Sequence, residues 1–234
     1  MKYSTIPFVL LSLMMTAARA ELPAPPHSPG IESQGYVWNE PDKEKARALA
    51  RSGDPVKGKV AYEACRGCHK DDASGRPEYY PQLAGQLASV LIKQMVDIRA
   101  GRRDNPKMHP FIDDWVASAD EIADIAAYLS GLPIPANGVG NGKNLERGKA
   151  IYDKDCAKCH GDQGEGDAKE FYPRVAGQHY RYLLRESLMI RDYCRRNANP
   201  KMVKVIKRYD DEDLEAVADY MSRLEPEGRA SGKK

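Results

Sequence analysis

The sequence contains two copies of one short motif, Cys65-Arg66-Gly67-Cys68-His69 and Cys156-Ala157-Lys158-Cys159-His160. Each copy is a C-x-x-C-H motif, which is typical of the covalent attachment of c-type haem. The two thiols of such a motif add to the vinyl groups of the porphyrin, and the histidine becomes the proximal ligand of the iron. The motifs therefore predict two covalently bound haem c groups, with His69 and His160 as iron ligands.

A C-x-x-C pair also occurs in zinc sites and in thioredoxin-like redox sites. A zinc ribbon does not need a histidine directly after the second cysteine, and a redox dithiol needs only one copy of the motif. The chain has only five histidines, and two of them occupy this one position. The pattern therefore favours haem attachment over both alternatives.

Residues 1–20 have the pattern of a secretory signal peptide, with Lys2 near the start, an apolar stretch and an A-x-A cleavage site at Ala18-Arg19-Ala20. The apolar stretch is too short to cross a bilayer, so we expect no transmembrane segment after cleavage. An uncleaved membrane anchor is the alternative. Export agrees with the haem motifs, since c-type haem is attached outside the bacterial cytoplasm. We therefore expect a soluble periplasmic protein.

The charge and the cysteine content narrow the function further. Removal of residues 1–20 would take away Lys2 and Arg19 and no acidic residue, which reduces the 36 basic residues to 34, equal to the 34 acidic ones. This balance gives no reason to expect binding to nucleic acid or to anionic lipid. Four of the five cysteines belong to the haem motifs, so no disulfide framework can form within the chain. Cys194 is left over.

The two halves of the chain are related by an almost constant offset of about ninety residues, which indicates a tandem duplication of one haem domain. Beyond the haem motifs, the corresponding segments are 81–86 with 173–178, 105–108 with 199–202, and 127–128 with 219–220. The predicted divisions of the chain are a signal peptide (1–20), an N-terminal extension (21–53), a first domain (54–130), a linker (131–143), a second domain (144–224) and a flexible tail (225–234). We expect the extension to lie as a strap over one domain.

Helical signals recur in both copies, and no segment shows the two-residue alternation of a strand. Asp54-Pro55 suits the start of a helix, and Ser118 with Glu121 forms a capping box before another. The fold class is therefore all-α. The predicted helices begin at Asp54 and near Asn144, span about 85–99 and 178–191, and open again at Ser118 and Asp210.

Two repeat-related pairs of methionines are candidates for the ligand opposite each histidine. Met95 and Met189 lie in predicted amphipathic helices, where methionine commonly fills the core. Met108 and Met202 follow Asn-Pro-Lys in predicted non-helical loops, and we expect these two to bind the irons. His109 is a rival at the first haem, but the second copy has a valine at that position.

The remaining candidates lie near the two haems. Arg102-Arg103 and Arg195-Arg196 precede the two ligand loops, and we expect one arginine of each pair to bind a haem propionate. A solvated basic turn is an equally open interpretation. Pro81 and Pro173 are expected to shape the loop beneath each proximal histidine. His179, at the start of a predicted helix, is expected on the surface or beside a propionate.

In order along each half, the sequence has a haem motif, a Y-P-x-[LV]-A-G-Q segment, an arginine-rich N-P-K-M loop and a closing helix. This arrangement resembles the dihaem cytochrome c4 family over roughly residues 55–224. The resemblance implies two tandem class I cytochrome c folds that face each other, each wrapped around one covalent haem c. It also implies histidine and methionine ligation, by His69 with Met108 and by His160 with Met202.

The resemblance further implies an electron-transfer protein rather than an enzyme. Its partners would be redox proteins, a donor and a terminal acceptor, some of them membrane-bound complexes. One alternative is an electron-accepting subunit of an oxidoreductase complex, for example with a sulfide-oxidising flavoprotein. A second is a dihaem enzyme such as thiosulfate dehydrogenase, in which Cys194 would bind the second iron. Two departures from the family pattern are Lys70-Asp71-Asp72 after the first haem motif and the insertion around Cys194.

Overall fold

The computed structural model describes residues 28–229. The predicted signal peptide, residues 21–27 of the extension and residues 230–234 lie outside the described residues. Within 28–229, all regular elements are helical, apart from three isolated β-bridges, which confirms the all-α class. In the same range, no helix combines the length and the apolar character needed to cross a membrane.

Ten α-helices follow one another along the described chain. Helix α1 belongs to the N-terminal extension, α2 to α5 to the first domain, and α6 to α10 to the second. Their bounds are α1 Lys43–Leu49, α2 Pro55–Ala61, α3 Arg66–His69, α4 Ala88–Arg99, α5 Ala119–Ser130, α6 Leu145–Ile151, α7 Ala157–His160, α8 Tyr180–Arg191, α9 Pro200–Ile206 and α10 Asp211–Arg223.

The helix starts follow the local sequence signals. The Asp54 side chain accepts hydrogen bonds from two backbone N–H groups at the start of α2. Ser118 and Glu121 form the predicted capping box at α5, and Asp210 caps α10. Short polar side chains satisfy N–H groups that the first turn of a helix leaves without a partner, so these starts are set locally. The predicted starts are confirmed, although α4 and α8 begin slightly later than the periodicity indicates.

In each domain, the first and last helices cross at a glycine. A Cβ atom at Gly58 would overlap the backbone carbonyl of Asp124, and a Cβ atom at Gly148 would overlap that of Ala216. Only a residue without a side chain lets the two backbones approach this closely. The crossing therefore depends on a glycine that the duplication has kept in both copies.

One turn beyond each glycine, a buried tyrosine ties the helix pair to the haem motif. Tyr62 and Tyr152 each pack against a tyrosine of the closing helix, with ring centroids 5.6 Å apart in both domains. The Tyr62 hydroxyl donates to the backbone carbonyl of Lys70 (2.8 Å), and the Tyr152 hydroxyl donates to that of Gly161 (2.6 Å). Both carbonyls belong to the residue directly after the motif histidine. The tyrosines therefore fix the end of each haem motif against the helix crossing.

The linker and the adjoining part of the tail pack onto the domains. Ile134 is 2% exposed, and its backbone N–H donates to the carbonyl of Gly228 (3.1 Å). The amide of Asn137 donates to two carbonyls of the second domain, and Pro226 is buried. Part of the predicted flexible tail, within residues 225–229, is therefore packed against the rest of the chain.

The N-terminal extension lies across both domains rather than over one. The Ser28 hydroxyl donates to the carbonyl of Ala100 in the first domain (2.6 Å). The Tyr36 hydroxyl donates to the carbonyl of Ala198 in the second domain (3.1 Å). The expectation of a strap over a single domain is therefore wrong, because the hydroxyl donors of the extension find acceptors on both halves.

Lys70 occupies a backbone region that side chains strongly disfavour, with φ 63° and ψ 169°. Its repeat-equivalent is Gly161, with φ 82° and ψ 158°. We expect Lys70→Gly to raise the free energy of unfolding of the holoprotein by about 1 kcal/mol, because glycine adopts this conformation without steric strain. Urea unfolding of the purified holoprotein measures the change.

The matched control is Lys59→Gly in the exposed part of α2, which should lower the free energy of unfolding by about 1 kcal/mol through helix propensity. Opposite signs for the two lysine-to-glycine changes are the expected result. A loss of stability in both variants would contradict the strain at Lys70.

Candidate haem sites

Both haem motifs open into one continuous cavity between the two domains. Its volume is about 610 Å³, and its walls come from both halves of the chain. The motif histidines lie on this wall and are otherwise buried, His69 with 8% and His160 with 9% of its surface exposed. Most of the remaining lining is apolar, which suits a large flat porphyrin. The two motifs therefore face a shared interior rather than separate surface pockets.

A backbone carbonyl holds each motif histidine in a defined orientation. Nδ1 of His69 lies 3.2 Å from the carbonyl oxygen of Pro81, and Nδ1 of His160 lies 2.9 Å from that of Pro173. A carbonyl oxygen only accepts hydrogen bonds, so Nδ1 carries the proton and Nε2 keeps its lone pair. Burial lowers the pKa of both imidazoles, which favours the neutral form. Both rings therefore have the tautomer that an iron ligand requires.

The motif cysteines are partly buried, and none of the four forms a disulfide. Burial raises the pKa of the Cys65 thiol to about 11 and that of the Cys156 thiol to about 12. A thioredoxin-like site needs the opposite, a thiol whose pKa is lowered so that it reacts as thiolate. The surroundings of these two cysteines thus do not match a redox dithiol, and they fit thiols that form thioether bonds to a buried porphyrin.

All four candidate methionines line the cavity: Met95, Met108, Met189 and Met202. The backbone N–H of Met108 donates to the carbonyl of Asn105 (3.0 Å), which places Met108 in a turn as predicted. His109 does not belong to the cavity lining.

The prediction of a non-helical loop at Met202 is wrong, because this methionine lies in the first turn of α9. The side chain of Asn199 caps α9 by accepting from the backbone N–H of Lys201 (2.9 Å), and Pro200 is its first residue. Asparagine at the cap and proline at the first position both favour a helix start. The second copy thus presents its methionine from a helix where the first copy uses a turn.

The four predicted arginines divide into two groups. Arg103 and Arg195 line the cavity. Arg102 instead binds Asp97 (2.9 Å) and Asp42, and Arg196 binds Glu32 (2.6 Å) of the N-terminal extension. One arginine of each pair therefore faces the cavity while the other holds the extension.

Glu186 lies between the two cavity-facing arginines. One of its carboxylate oxygens is 3.0 Å from Nη2 of Arg103 and 2.9 Å from Nη1 of Arg195. Burial on its own would raise the pKa of Glu186, but the neighbouring guanidinium groups bring that pKa below its ordinary value. A carboxylate in this position stays ionised and fixes both arginines at the junction of the domains.

Two glutamines of the repeated A-G-Q segment join the domains reciprocally. The Gln178 side chain accepts from the backbone N–H of Gln82 (3.0 Å) and donates to its carbonyl (2.8 Å). The Gln86 side chain does the same to Arg174, at 2.9 Å and 3.0 Å. The sequence analysis did not identify these residues as functional. Their only signal was their repetition in a segment that each half carries once.

His179 also joins the domains, and the expectation of a surface position is wrong. It is 2% exposed. Its Nε2 donates to the carbonyl of Ser74 in the first domain (2.7 Å), and its Nδ1 accepts from the backbone N–H of Gly138 (2.9 Å). Both ring nitrogens are thus occupied at the interface.

Cys194 lies apart from the cavity. Its side chain is exposed, and its thiol contacts the carbonyl of Asp192 (3.7 Å). It is not among the residues that line the cavity, whereas the following residue, Arg195, is. The structure therefore offers no support for Cys194 as an iron ligand.

Comparison with known families gives a match for each domain. Residues 54–129 match the family described as cytochrome C oxidase, cbb3-type, subunit III, and residues 145–225 match the family described as cytochrome c. Each matched range contains one C-x-x-C-H motif. Two cytochrome c domains with such cysteine pairs imply two haem c groups.

Whole proteins are similar over most of their length. Cytochrome c4 of Pseudomonas aeruginosa is 31% identical over 183 residues, which cover 74% of this chain and 90% of that protein. The thiosulfate dehydrogenase electron acceptor of Stutzerimonas stutzeri is 34% identical over 174 residues, covering 69% of this chain and 79% of that protein.

Solved structures of a cytochrome c4 and of a thiosulfate dehydrogenase have a similar fold. The reduced recombinant cytochrome c4 from Pseudomonas stutzeri superimposes with a TM-score of 0.66 at 27% identity, covering 74% of this chain and 99% of that one. A thiosulfate dehydrogenase from Marichromatium purpuratum superimposes with a TM-score of 0.63 at 26% identity, covering 72% of this chain and 40% of that one. The chain belongs to the cytochrome c4 family of electron carriers, with two cytochrome c domains in tandem.

Proposed function

We propose that this chain is a periplasmic carrier of single electrons, with one iron bound by His69 and Met108 and the other by His160 and Met202. When bound, each haem supplies reversible one-electron chemistry at its iron. The observation that carries the proposal is the shared cavity, which is lined by both motif histidines and by Met108 and Met202, together with Met95 and Met189. The signal-peptide pattern of residues 1–20 supports export.

The chain's own residues suit a carrier better than a catalyst. Each motif histidine is oriented by a proline carbonyl, so its Nε2 would hold an iron with little rotational freedom of the ring. Met108 and Met202 would each supply a thioether as a further iron ligand and would keep small molecules off the metal. The buried histidines and the mostly apolar lining would keep water away from a bound haem, which would limit the reorganisation that accompanies electron transfer.

Binding of carbon monoxide tests the sixth ligand. We expect optical spectra of the reduced holoprotein to show two covalent haems and no carbon monoxide complex. Met108→Leu and Met202→Leu should each open one iron, so that carbon monoxide binds one of the two haems. Leucine keeps the volume of the side chain but cannot ligate.

Met95→Leu and Met189→Leu are the matched controls, because both methionines line the same cavity from α4 and α8. These variants should remain unreactive towards carbon monoxide. Reaction in the controls but not in the Met108 and Met202 variants would assign ligation to the other pair. Reaction in the unmodified protein would indicate an open iron and an enzyme rather than a carrier.

We also propose that Arg103 and Arg195 are the arginines that bind the haem propionates. Both face the cavity and are held there by Glu186. Arg102 and Arg196 serve the N-terminal extension through their contacts with Asp42 and Glu32. This assignment takes one arginine from each of the two repeat-related pairs.

Reduction potentials distinguish the two groups of arginines. Arg103→Gln and Arg195→Gln should each lower a haem potential and make it depend on pH near neutrality, because a propionate without its cationic partner has a higher pKa. Arg102→Gln and Arg196→Gln should leave the potentials nearly unchanged and lower the melting temperature. Equal potential shifts in all four variants would contradict the assignment.

A second candidate function is acceptance of electrons within a thiosulfate-oxidising system. The observation that favours it is the 34% identity to a thiosulfate dehydrogenase electron acceptor. In this case the chain would still carry electrons, but its donor would be one dedicated enzyme. Stopped-flow reduction by a purified thiosulfate dehydrogenase with thiosulfate would support it, and reduction no faster than that of an unrelated cytochrome c would not.

Cys194→Ser tests the alternative of a dihaem enzyme with a thiolate ligand. The exposed thiol lies outside the cavity lining, so we expect both haem spectra and both potentials to remain unchanged. A shifted Soret band or potential at one haem would show that Cys194 acts on an iron.

A further inference from the structure

Two peptide units form hydrogen bonds both to the glutamines that join the domains and to the histidines that face the cavity. In the first domain, one peptide unit links Pro81 to Gln82. Its carbonyl oxygen accepts from Nδ1 of His69 (3.2 Å), and its N–H donates to Oε1 of Gln178 in the second domain (3.0 Å). A continuous hydrogen-bonded path therefore runs from the proximal histidine of one domain to a side chain of the other.

The second domain repeats this arrangement in the opposite direction. The peptide unit between Pro173 and Arg174 accepts from Nδ1 of His160 through its carbonyl (2.9 Å). Its N–H donates to Oε1 of Gln86 in the first domain (2.9 Å). Each domain thus supplies the glutamine that binds the peptide unit behind the motif histidine of the other domain.

The orientation of both side-chain amides follows from the groups they meet. Nε2 of Gln178 donates to the Gln82 carbonyl (2.8 Å), and Nε2 of Gln86 donates to the Arg174 carbonyl (3.0 Å). Since a backbone N–H only donates and a carbonyl only accepts, Oε1 must face the N–H in both pairs. Gln82 and Gln178 are also buried, with 4% and 7% of their surfaces exposed.

A hydrogen bond donated by a peptide N–H polarises the carbonyl of the same peptide, because bonds in such a chain strengthen one another in a low-dielectric interior. A more polar carbonyl is a stronger acceptor for the Nδ1 proton of histidine. That stronger bond makes the imidazole a better electron donor to its metal, and a better donor stabilises ferric over ferrous iron. The physical effect on the haem is therefore a lower reduction potential.

We propose that Gln178 and Gln86 are positioning residues that act across the domain interface, each lowering the reduction potential of the haem in the opposite domain. Gln178 acts on the haem of His69, and Gln86 acts on the haem of His160. The proposal rests on the proposed ligation by these two histidines. It assigns a redox role to two cavity-lining side chains whose hydrogen bonds go to the peptide units behind His69 and His160 rather than to those histidine rings.

Redox titration of the holoprotein, followed optically, tests the proposal. Gln178→Leu should shift the equilibrium between oxidised and reduced first-domain haem about threefold towards the reduced form. For a one-electron couple this is about 30 mV. The second-domain haem should not move, and Gln86→Leu should give the reverse pattern. Each titration is repeated with Met202→His added to the glutamine variant. This second change separates the potential of the second-domain haem from that of the first and so identifies the haem whose potential shifts.

The matched control is Ser89→Ala, at a residue outside the cavity lining. The Ser89 hydroxyl donates to the carbonyl of Ala168 in the second domain (2.7 Å), so this change removes one interdomain hydrogen bond and leaves both histidine peptide units unchanged. Both potentials should stay in place. If Gln178→Leu yields no holoprotein, Gln178→Asn, whose amide is too short to reach the Gln82 backbone, carries the same expectation.

Nuclear magnetic resonance gives a second readout that loss of packing would not produce. In the reduced protein, the Nδ1 proton of His69 should move to lower chemical shift in Gln178→Leu, while that of His160 should not. Equal shifts of both potentials in Gln178→Leu, Gln86→Leu and Ser89→Ala would overturn the proposal in favour of general interface damage. Unchanged potentials with normal haem spectra would also overturn it, whereas abnormal ligation in the unmodified protein would overturn the proposed function itself.

Discussion

The hydrogen bond between each motif histidine and a proline carbonyl is the interaction on which the rest of the site depends. It selects the ring tautomer and directs the remaining nitrogen of His69 and His160 into the cavity. The same carbonyls belong to the Y-P-x-[LV]-A-G-Q segments, so the bond ties each haem motif to the segment that forms the interface. A cytochrome domain of this size has a small core of its own, so a covalently attached haem would supply stability that the core lacks.

Much of the fold could be predicted from the sequence because the deciding signals are local. A capping side chain such as Asp54 or Ser118 acts within one helical turn, and the haem motif acts within five residues. The duplication supplied a further check, since the haem motif, the Y-P-x-[LV]-A-G-Q segment and the closing helix each occur in both halves. The fold class and the family could be identified on this basis.

The errors concern contacts between distant parts of the chain. His179 is buried between the domains, and its two partners lie 105 and 41 residues away in sequence. The glutamine pairs, at separations of 88 and 96 residues, left no periodic pattern either. Met202 was misplaced for a different reason, because Asn199 and Pro200 form a helix start that was interpreted as a loop. The ligand assignments and domain boundaries stay predictions.

The two halves have corresponding helices α4 and α8, but these helices differ in charge at one position beside the cavity. Gln94 of the first domain and Glu186 of the second occupy corresponding positions of α4 and α8, and both line the cavity. One is a neutral amide and the other an ionised carboxylate held by Arg103 and Arg195. In a low-dielectric interior, a fixed charge acts more strongly on the nearer iron than on the farther one. The reciprocal glutamine contacts are alike on both sides, whereas Gln94 and Glu186, which both bind Arg103 and Arg195, break this symmetry with one neutral amide and one carboxylate.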